Sequence, residues 1–403
     1  MSNTWYLSTL FSRGCGFLPK AIRGLILSAV FMVSSNNNLF SQAWVFNPFK
    51  VQIDPMEKLL LVNFEKDPDS LYVGFEPQVF DDGKNGRGHL IIGWRVDGKV
   101  DVYHQSSLTL DQAKYDIVGK GLANMVEVEM PLASFEVNDF GVQADYQFID
   151  LSGRTIKIQI FEQNPKSRKP FGLLAPMGDA AENPSAMPLV LLHDFYFVRR
   201  KNTDFLVSID GKVHSPDVLP LPMDWMNMYF ARYSPKPLIA TLNPAYDGPL
   251  SQELVDEGVE QVTEENTSLE LEWEGGFPKL KSLTRHNLVH DIKFSFDPAF
   301  PHLEAVKAGT SQEGHFLVEG HPSTGSIAGD YMICANKENI LMVLVPSKGW
   351  KPRPTKISLR LLYAVGKVFK QWPGTYRWEA RLEKTKEGDW HMKSHWKRTG
   401  KVL

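Results

Sequence analysis

Val142-Gln-Ala-Asp-Tyr-Gln-Phe148, then Asp150-Leu-Ser-Gly-Arg154, then Ile156-Lys-Ile-Gln-Ile160 is the stretch that decides the fold. Val142, Ala144, Tyr146 and Phe148 alternate with Gln143, Asp145 and Gln147. Ile156, Ile158 and Ile160 alternate with Lys157 and Gln159. Side chains on a strand point to opposite faces in turn, so this period of two predicts a hairpin with one buried face. The same grammar recurs along the chain. Asp97-Gly98 separates Ile91–Val96 from Val100–His104, a hairpin turn signal. Phe205–Ile209 runs into Asp210-Gly211, and 288–296 alternates through Leu288, His290, Ile292, Phe294 and Phe296. Ile340–Val345, Ile357–Tyr363 and Tyr376–Leu382 also read as strands. The predicted fold class is all-β: two consecutive antiparallel β-barrel or sandwich units with a few short helices.

The chain has 403 residues, 43% apolar and 23% charged, which is globular composition and long enough for two or three domains. Two cysteines cannot make a disulfide framework or a four-thiolate zinc site, and Cys334, in an apolar run, reads as an inert core thiol. Residues 251–266 carry six acids and no base and read as a solvated acidic helix or linker. That places a first β unit at 57–245, the linker at 246–266 and a second β unit at 267–400. Residues 1–45 read as a signal peptide or N-terminal anchor: Arg13, Lys20 and Arg23 precede the apolar run 24–33, and Ser41-Gln-Ala43 offers small residues for cleavage. This implies an exported or envelope location. The rival is a start at Met56, which implies a cytoplasmic protein.

The net charge of -3 hides an asymmetry: Lys348–Leu403 carries 15 Lys/Arg against 4 Asp/Glu. A basic segment favours an anionic membrane surface, though solvated strand faces explain it as well. Trp350, Trp372, Trp378, Trp390 and Trp396 lie among these bases, but no nucleic-acid motif accompanies them, so nucleic acid is not the expected partner.

The familiar catalytic signatures are missing: there is no GxSxG, P-loop, HExxH or GxGxxG after a strand. No cofactor is therefore expected. No metal site is expected either. His286 and His290 on one strand would stand ~13 Å apart, and Glu319 with His321 supplies only two ligands. The strongest chemical candidate is the strand 190–198, Val-Leu-Leu-His-Asp-Phe-Tyr-Phe-Val, apolar on both faces yet holding His193 and Asp194. A buried carboxylate is costly unless paired or protonated, with Arg199, Arg200 and Arg232 as possible partners. Asp194 is the candidate acid, with His193 or Tyr196 as helper. On a regular strand His193 faces away from Asp194, so that pairing requires a bulge. The long connection 164–188 is oddly apolar. Phe171, Leu174 and Met177 on it, with Trp225 and His290 elsewhere, are the expected ligand-binding residues of a cavity it caps.

Two β units rich in hairpins, with buried polar residues and Trp-rich strands, resemble in layout the tandem lipocalin-like proteins that include carotenoid hydratases. The resemblance spans 57–400 and carries no matching motif. It implies a cavity for an apolar, isoprenoid-like chain and acidic residues that protonate a double bond. Three functions are therefore expected to compete. They are binding of an apolar or amphipathic small molecule, acid–base chemistry on such a ligand, and a carbohydrate- or envelope-associated sandwich. A deep apolar cavity containing a carboxylate favours the second.

Overall fold

The computed structural model describes residues 41–165, 169–175, 184–220, 222–223, 225–336, 339–354, 356–365 and 372–399. Residues 1–40, on which most of the expected leader falls, and Met177 lie outside the described residues. The chain is all-β with few helices. The hairpin that opened the sequence reading forms as expected, with Gly141–Ile149 antiparallel to Thr155–Glu162. Leu132–Asn138, Thr203–Ile209 and Lys212–His214 extend it to a five-stranded sheet.

One face of that sheet packs Val142, Ala144, Tyr146, Phe148, Ile156, Ile158 and Ile160 against a larger sheet. The larger sheet has the order Val51–Asp54, Leu238–Leu242, Met187–Arg199, Met228–Ser234, Lys58–Asn63, Tyr72–Asp82, Gly86–Arg95, Val100–His104, Leu122–Glu127. Its residues divide by parity. Leu60, Val62, Phe75, Ile91 and Ala231 meet the five-stranded sheet, whereas Leu59, Leu61, Glu76, Gln78, Ile92, Trp94 and Arg232 face the other way. Strand alternation thus gives this sheet one filled face and one face free to line a cavity.

The rest of the chain forms a second, nearly sequential antiparallel meander from Gln261–Glu264 to Trp390–Arg398, with Tyr246–Pro249 at its far edge. Aromatic side chains pack inside it. Phe49 comes from before the first sheet and lies 5.2 Å from Phe294, 4.8 Å from Phe296, 4.9 Å from Phe300 and 5.7 Å from Trp378, ring to ring. Trp372, Tyr376 and Trp378 are fully buried, which makes that aromatic stripe core.

Three sequence expectations give way here. Residues 251–266 hold no helix: Ser251–Asp256 pairs with the strand Gln42–Asn47, and Gln261–Glu264 forms a hairpin with Thr267–Glu274. The first of these partners is about 200 residues away, so local composition could not reveal it. Ile357–Val365 is a helix, α1, not a strand. Its buried Leu359 and Tyr363 recur at helical spacing, and the prolines at 352 and 354 interrupt the preceding strand. Residues 286–291 form the connection before the strand Ile292–Phe300, so His286 and His290 do not share a strand face.

One further expectation is refined. The connection 164–188 contains the strand Phe171–Ala175, paired with Met187–Arg199. Upstream of Met56, Gln42–Asn47 and Val51–Asp54 are strands, the second paired with Leu238–Leu242.

Candidate functional site

The free face of the larger sheet lines a cavity of about 520 Å3. Leu59, Leu61, Phe80, Ile92, Val190, Leu192, Phe195, Phe197 and Ile239 supply apolar walls. Two covers close over them. One is the segment after the His104 strand, through Leu110, Tyr115, Ile117 and Val118. The other is Leu173 with Leu362 and Tyr363 of α1. The second cover is fastened at two points. Tyr363 Oη donates to Gly172 O at 2.7 Å, and Lys356 Nζ sits 4.1 Å over the Phe171 ring.

A row of side chains crosses the cavity floor. Phe197 is in register with Arg232, and Arg232 with Leu61. The register of the next pair (Leu59 with Gln78, Val62 with Phe75) puts Leu61 opposite Glu76, and Glu76 is in register with Ile92. Pro77 has no N–H, and the ladder to Leu60 and Leu61 is interrupted there. Glu76 and Arg232 are two strands apart, about 9–10 Å between backbones.

Glu76 is 2% exposed. Its Oε1 accepts from Gln78 Nε2 at 2.8 Å and its Oε2 from Trp94 Nε1 at 3.1 Å. Burial outweighs these hydrogen bonds and the more distant Arg232, and pushes the carboxyl up to about 7. Arg232 gives Nη1 to Asn63 Oδ1 at 2.7 Å and to Phe230 O at 3.2 Å, and its guanidinium lies 4.4 Å over the Phe230 ring. Desolvation pulls it down to about 10. Gln78 Oε1 is a buried acceptor without a donor. At the rim, Lys114 pairs with Asp54 at 2.5 Å. A carboxyl near neutrality and a guanidinium, both held among hydrocarbon walls, are suited to a polar group on an otherwise apolar guest.

The residues expected from sequence fall close to this cavity but mostly not in it. The strand Met187–Arg199 is central, pairing with Leu238–Leu242 in its first half and Met228–Ser234 in its second. The bulge that the Asp194–His193 pairing requires is present. Phe171 pairs with Phe195, but Leu173 pairs with Leu192, and the cavity-lining parity changes from Pro188, Val190, Leu192 to Phe195, Phe197.

Asp194 lies behind the wall. It accepts from Ser234 Oγ at 2.5 Å, and Ser234 lines the cavity. Burial raises its carboxyl, while the Ser234 hydrogen bond and His193 oppose the rise. Its hydroxyl partner takes the place expected for an arginine: Arg232 turns to Asn63, and Arg200 lies over the Tyr229 ring. Tyr196 stacks on Tyr233 at 5.4 Å, again one layer behind the cavity.

His193 joins a different group. Its ring lies 5.4 Å from His290 and 5.2 Å from His321, which are 5.8 Å from each other. Desolvation first, then repulsion from its neighbours, brings His290 down to about 4. Among the described residues no group of three His, Cys, Asp or Glu side chains is arranged to hold a metal ion. His321 Nδ1 is occupied by Ser323, and Glu319 by Arg353.

Phe171 and Leu174 are buried in the core that continues into the second meander, so they back the cavity cover instead of lining the cavity. Trp225 is 98% exposed in a turn between Met223 and Met226 and touches no part of the cavity wall. Its apolar neighbours in the sequence suggested a mouth, but the turn projects its ring outward. Met177 lies outside the described residues.

Sequence reasoning missed Glu76 as a site residue. The signal was present in Tyr72-Val-Gly-Phe-Glu-Pro-Gln-Val-Phe80, where Glu76 and Gln78 share one face of an apolar strand. No protein-family model, no curated protein and no solved structure matches the chain.

Proposed function

We propose that this protein binds an apolar or amphipathic small molecule in the cavity of the larger sheet. The observation that carries the reading is the cavity itself: about 520 Å3, walled by leucine, isoleucine, valine and phenylalanine, with Glu76, Gln78, Trp94, Asn63 and Arg232 on its floor beside Glu65 and further polar residues toward the rim. The layout resemblance to tandem lipocalin-like proteins supports the same reading. In the second meander Phe49 packs against Phe294 and Phe296, so the reading rests on the cavity of the larger sheet.

A neutral fluorescent probe, N-phenyl-1-naphthylamine, tests this. It should bind at one site and change the emission of Trp94. Leu61→Trp, which places an indole in the empty space, should abolish binding while leaving the fold intact by circular dichroism. Unchanged binding by that folded variant would remove the cavity from this role.

Glu76 favours a second reading, acid–base chemistry on the bound ligand, such as hydration or isomerisation of a double bond. A carboxyl near pH 7 is protonated often enough to give a proton and ionised often enough to take one back. In this reading Glu76 is the acid. Asp194, through Ser234, positions the wall.

A further inference from the structure

We infer that the guest of this cavity is an apolar chain ending in a carboxylate, and that Arg232 receives that head. The inference rests on the binding reading above and specifies its ligand class. Two lining cations are described, and they differ. Lys114 is paired with Asp54, whereas Arg232 hydrogen-bonds only to the neutral oxygens of Asn63 and Phe230, through one nitrogen. Glu76 attracts Arg232 across the floor without a hydrogen bond to it: Leu61 stands between them, and Gln78 and Trp94 donate to its two oxygens.

A guanidinium among apolar walls carries a desolvation cost that a counter-ion offsets, and its planar fork matches a carboxylate with two parallel hydrogen bonds. The Phe230 ring under the guanidinium fixes its plane. The floor between Arg232 and Glu76 is the Leu61 side chain, so the head has an apolar bed and the chain continues along Leu59, Ile92 and Val190.

The charge balance adds a signature. With Glu76 ionised, its charge offsets Arg232 and opposes an anion. With Glu76 neutral, its opposition to an anion at the guanidinium is removed, and Glu65 is the remaining carboxylate that attracts Arg232. The anionic head is therefore expected to bind with uptake of a proton by Glu76. The other charged or titratable groups lining the site are Glu65, which hydrogen-bonds Asn63 and also attracts Arg232, together with Asp54, Asp111, Lys114, Tyr115, Tyr233 and Tyr363.

The experiment is displacement of N-phenyl-1-naphthylamine from the full chain by dodecanoate, 1-dodecanol and dodecane, between pH 5.5 and 8.5. Dodecanoate should bind about 10- to 100-fold more tightly than dodecanol, the range of one charge-assisted contact, and should weaken as pH rises through 7. Arg232→Met should remove that advantage and leave dodecanol within about threefold. Arg232→Lys, which keeps the charge but loses the fork, should retain part of it and serves if the methionine variant does not fold. Equal affinity of the three competitors, or an equal loss for all of them in the variants, would overturn the carboxylate assignment while the cavity reading stands. Failure of the probe itself to bind would overturn both.

Discussion

Replacing Glu76 by glutamine should flatten a defined part of the protein's stability profile. Burial moves this carboxyl from 4.5 in the unfolded chain to about 7 in the fold. The folded state therefore holds the proton more tightly than the unfolded state between those values. Stability from this group is fully present below pH 4.5 and is lost as pH rises through 7. At about 1.4 kcal/mol per pH unit, the loss amounts to about 3 kcal/mol.

Other groups add their own slopes. Asp194, also raised by burial, acts in the same direction, while His290, lowered to about 4, acts in the opposite one. The difference between wild type and Glu76→Gln isolates Glu76. The glutamine keeps the volume but offers one acceptor oxygen where Gln78 and Trp94 supply two donors, a fixed cost of about 1 kcal/mol at every pH. Urea denaturation at pH 5, 6, 7 and 8 should show the variant slightly less stable than wild type at pH 5 and about 2 kcal/mol more stable at pH 8, with unchanged m-values. Parallel profiles would refute the buried, half-protonated carboxyl and, with it, the acid–base reading of the cavity.

Two further outcomes test the architecture. Phe49→Ala should cost about 3–5 kcal/mol, because the ring fills the space between Phe294, Phe296, Phe300 and Trp378; an urea midpoint equal to that of wild type would show the second meander closes without it. Gly172→Ala should destabilise by about 2 kcal/mol or more, since its Cβ would stand 2.0 Å from the Ser323 carbonyl oxygen; a thermal midpoint unchanged within a degree would contradict the close approach of these two backbones.

Much of the fold was legible where the pattern is local. Val142–Phe148 and Ile156–Ile160 alternate cleanly because one face meets the core and the other meets water. Asp97-Gly98 turns as its residue types dictate, with Gly98 at φ 84°. What was hidden depended on distant partners. Residues 251–256 carry only one buried side chain, Val255, and become a strand because Gln42–Asn47 supplies the hydrogen bonds. Ile357–Tyr363 has the apolar content of a strand, and only the spacing of Leu359 and Tyr363 marks the helix.

The site divided in the same way. The strand 190–198 was recognisable as central, but a bulge decides which of its side chains see the cavity. Glu76 follows Phe75 and precedes Pro77, and a proline within a strand argues for an edge. The sheet instead keeps that strand central and tolerates the missing donor. Arg232 was visible only as a possible mate for Asp194. The cross-strand row through Leu61 that sets it opposite Glu76 requires three strands to be assembled first.

The placement of Trp44–Phe49 bears on how the molecule is made. His302 Nε2 meets the Trp44 carbonyl across 258 residues of chain, and the ring of Phe49 lies 5.7 Å from Trp378, more than 300 residues later. This stretch must wait, unsatisfied and apolar, until partners more than 250 residues downstream have been made before it can dock. Such late closure is slow and leaves greasy surface open to misassociation, so chaperone dependence and refolding yield should respond to this short stretch more than its size suggests.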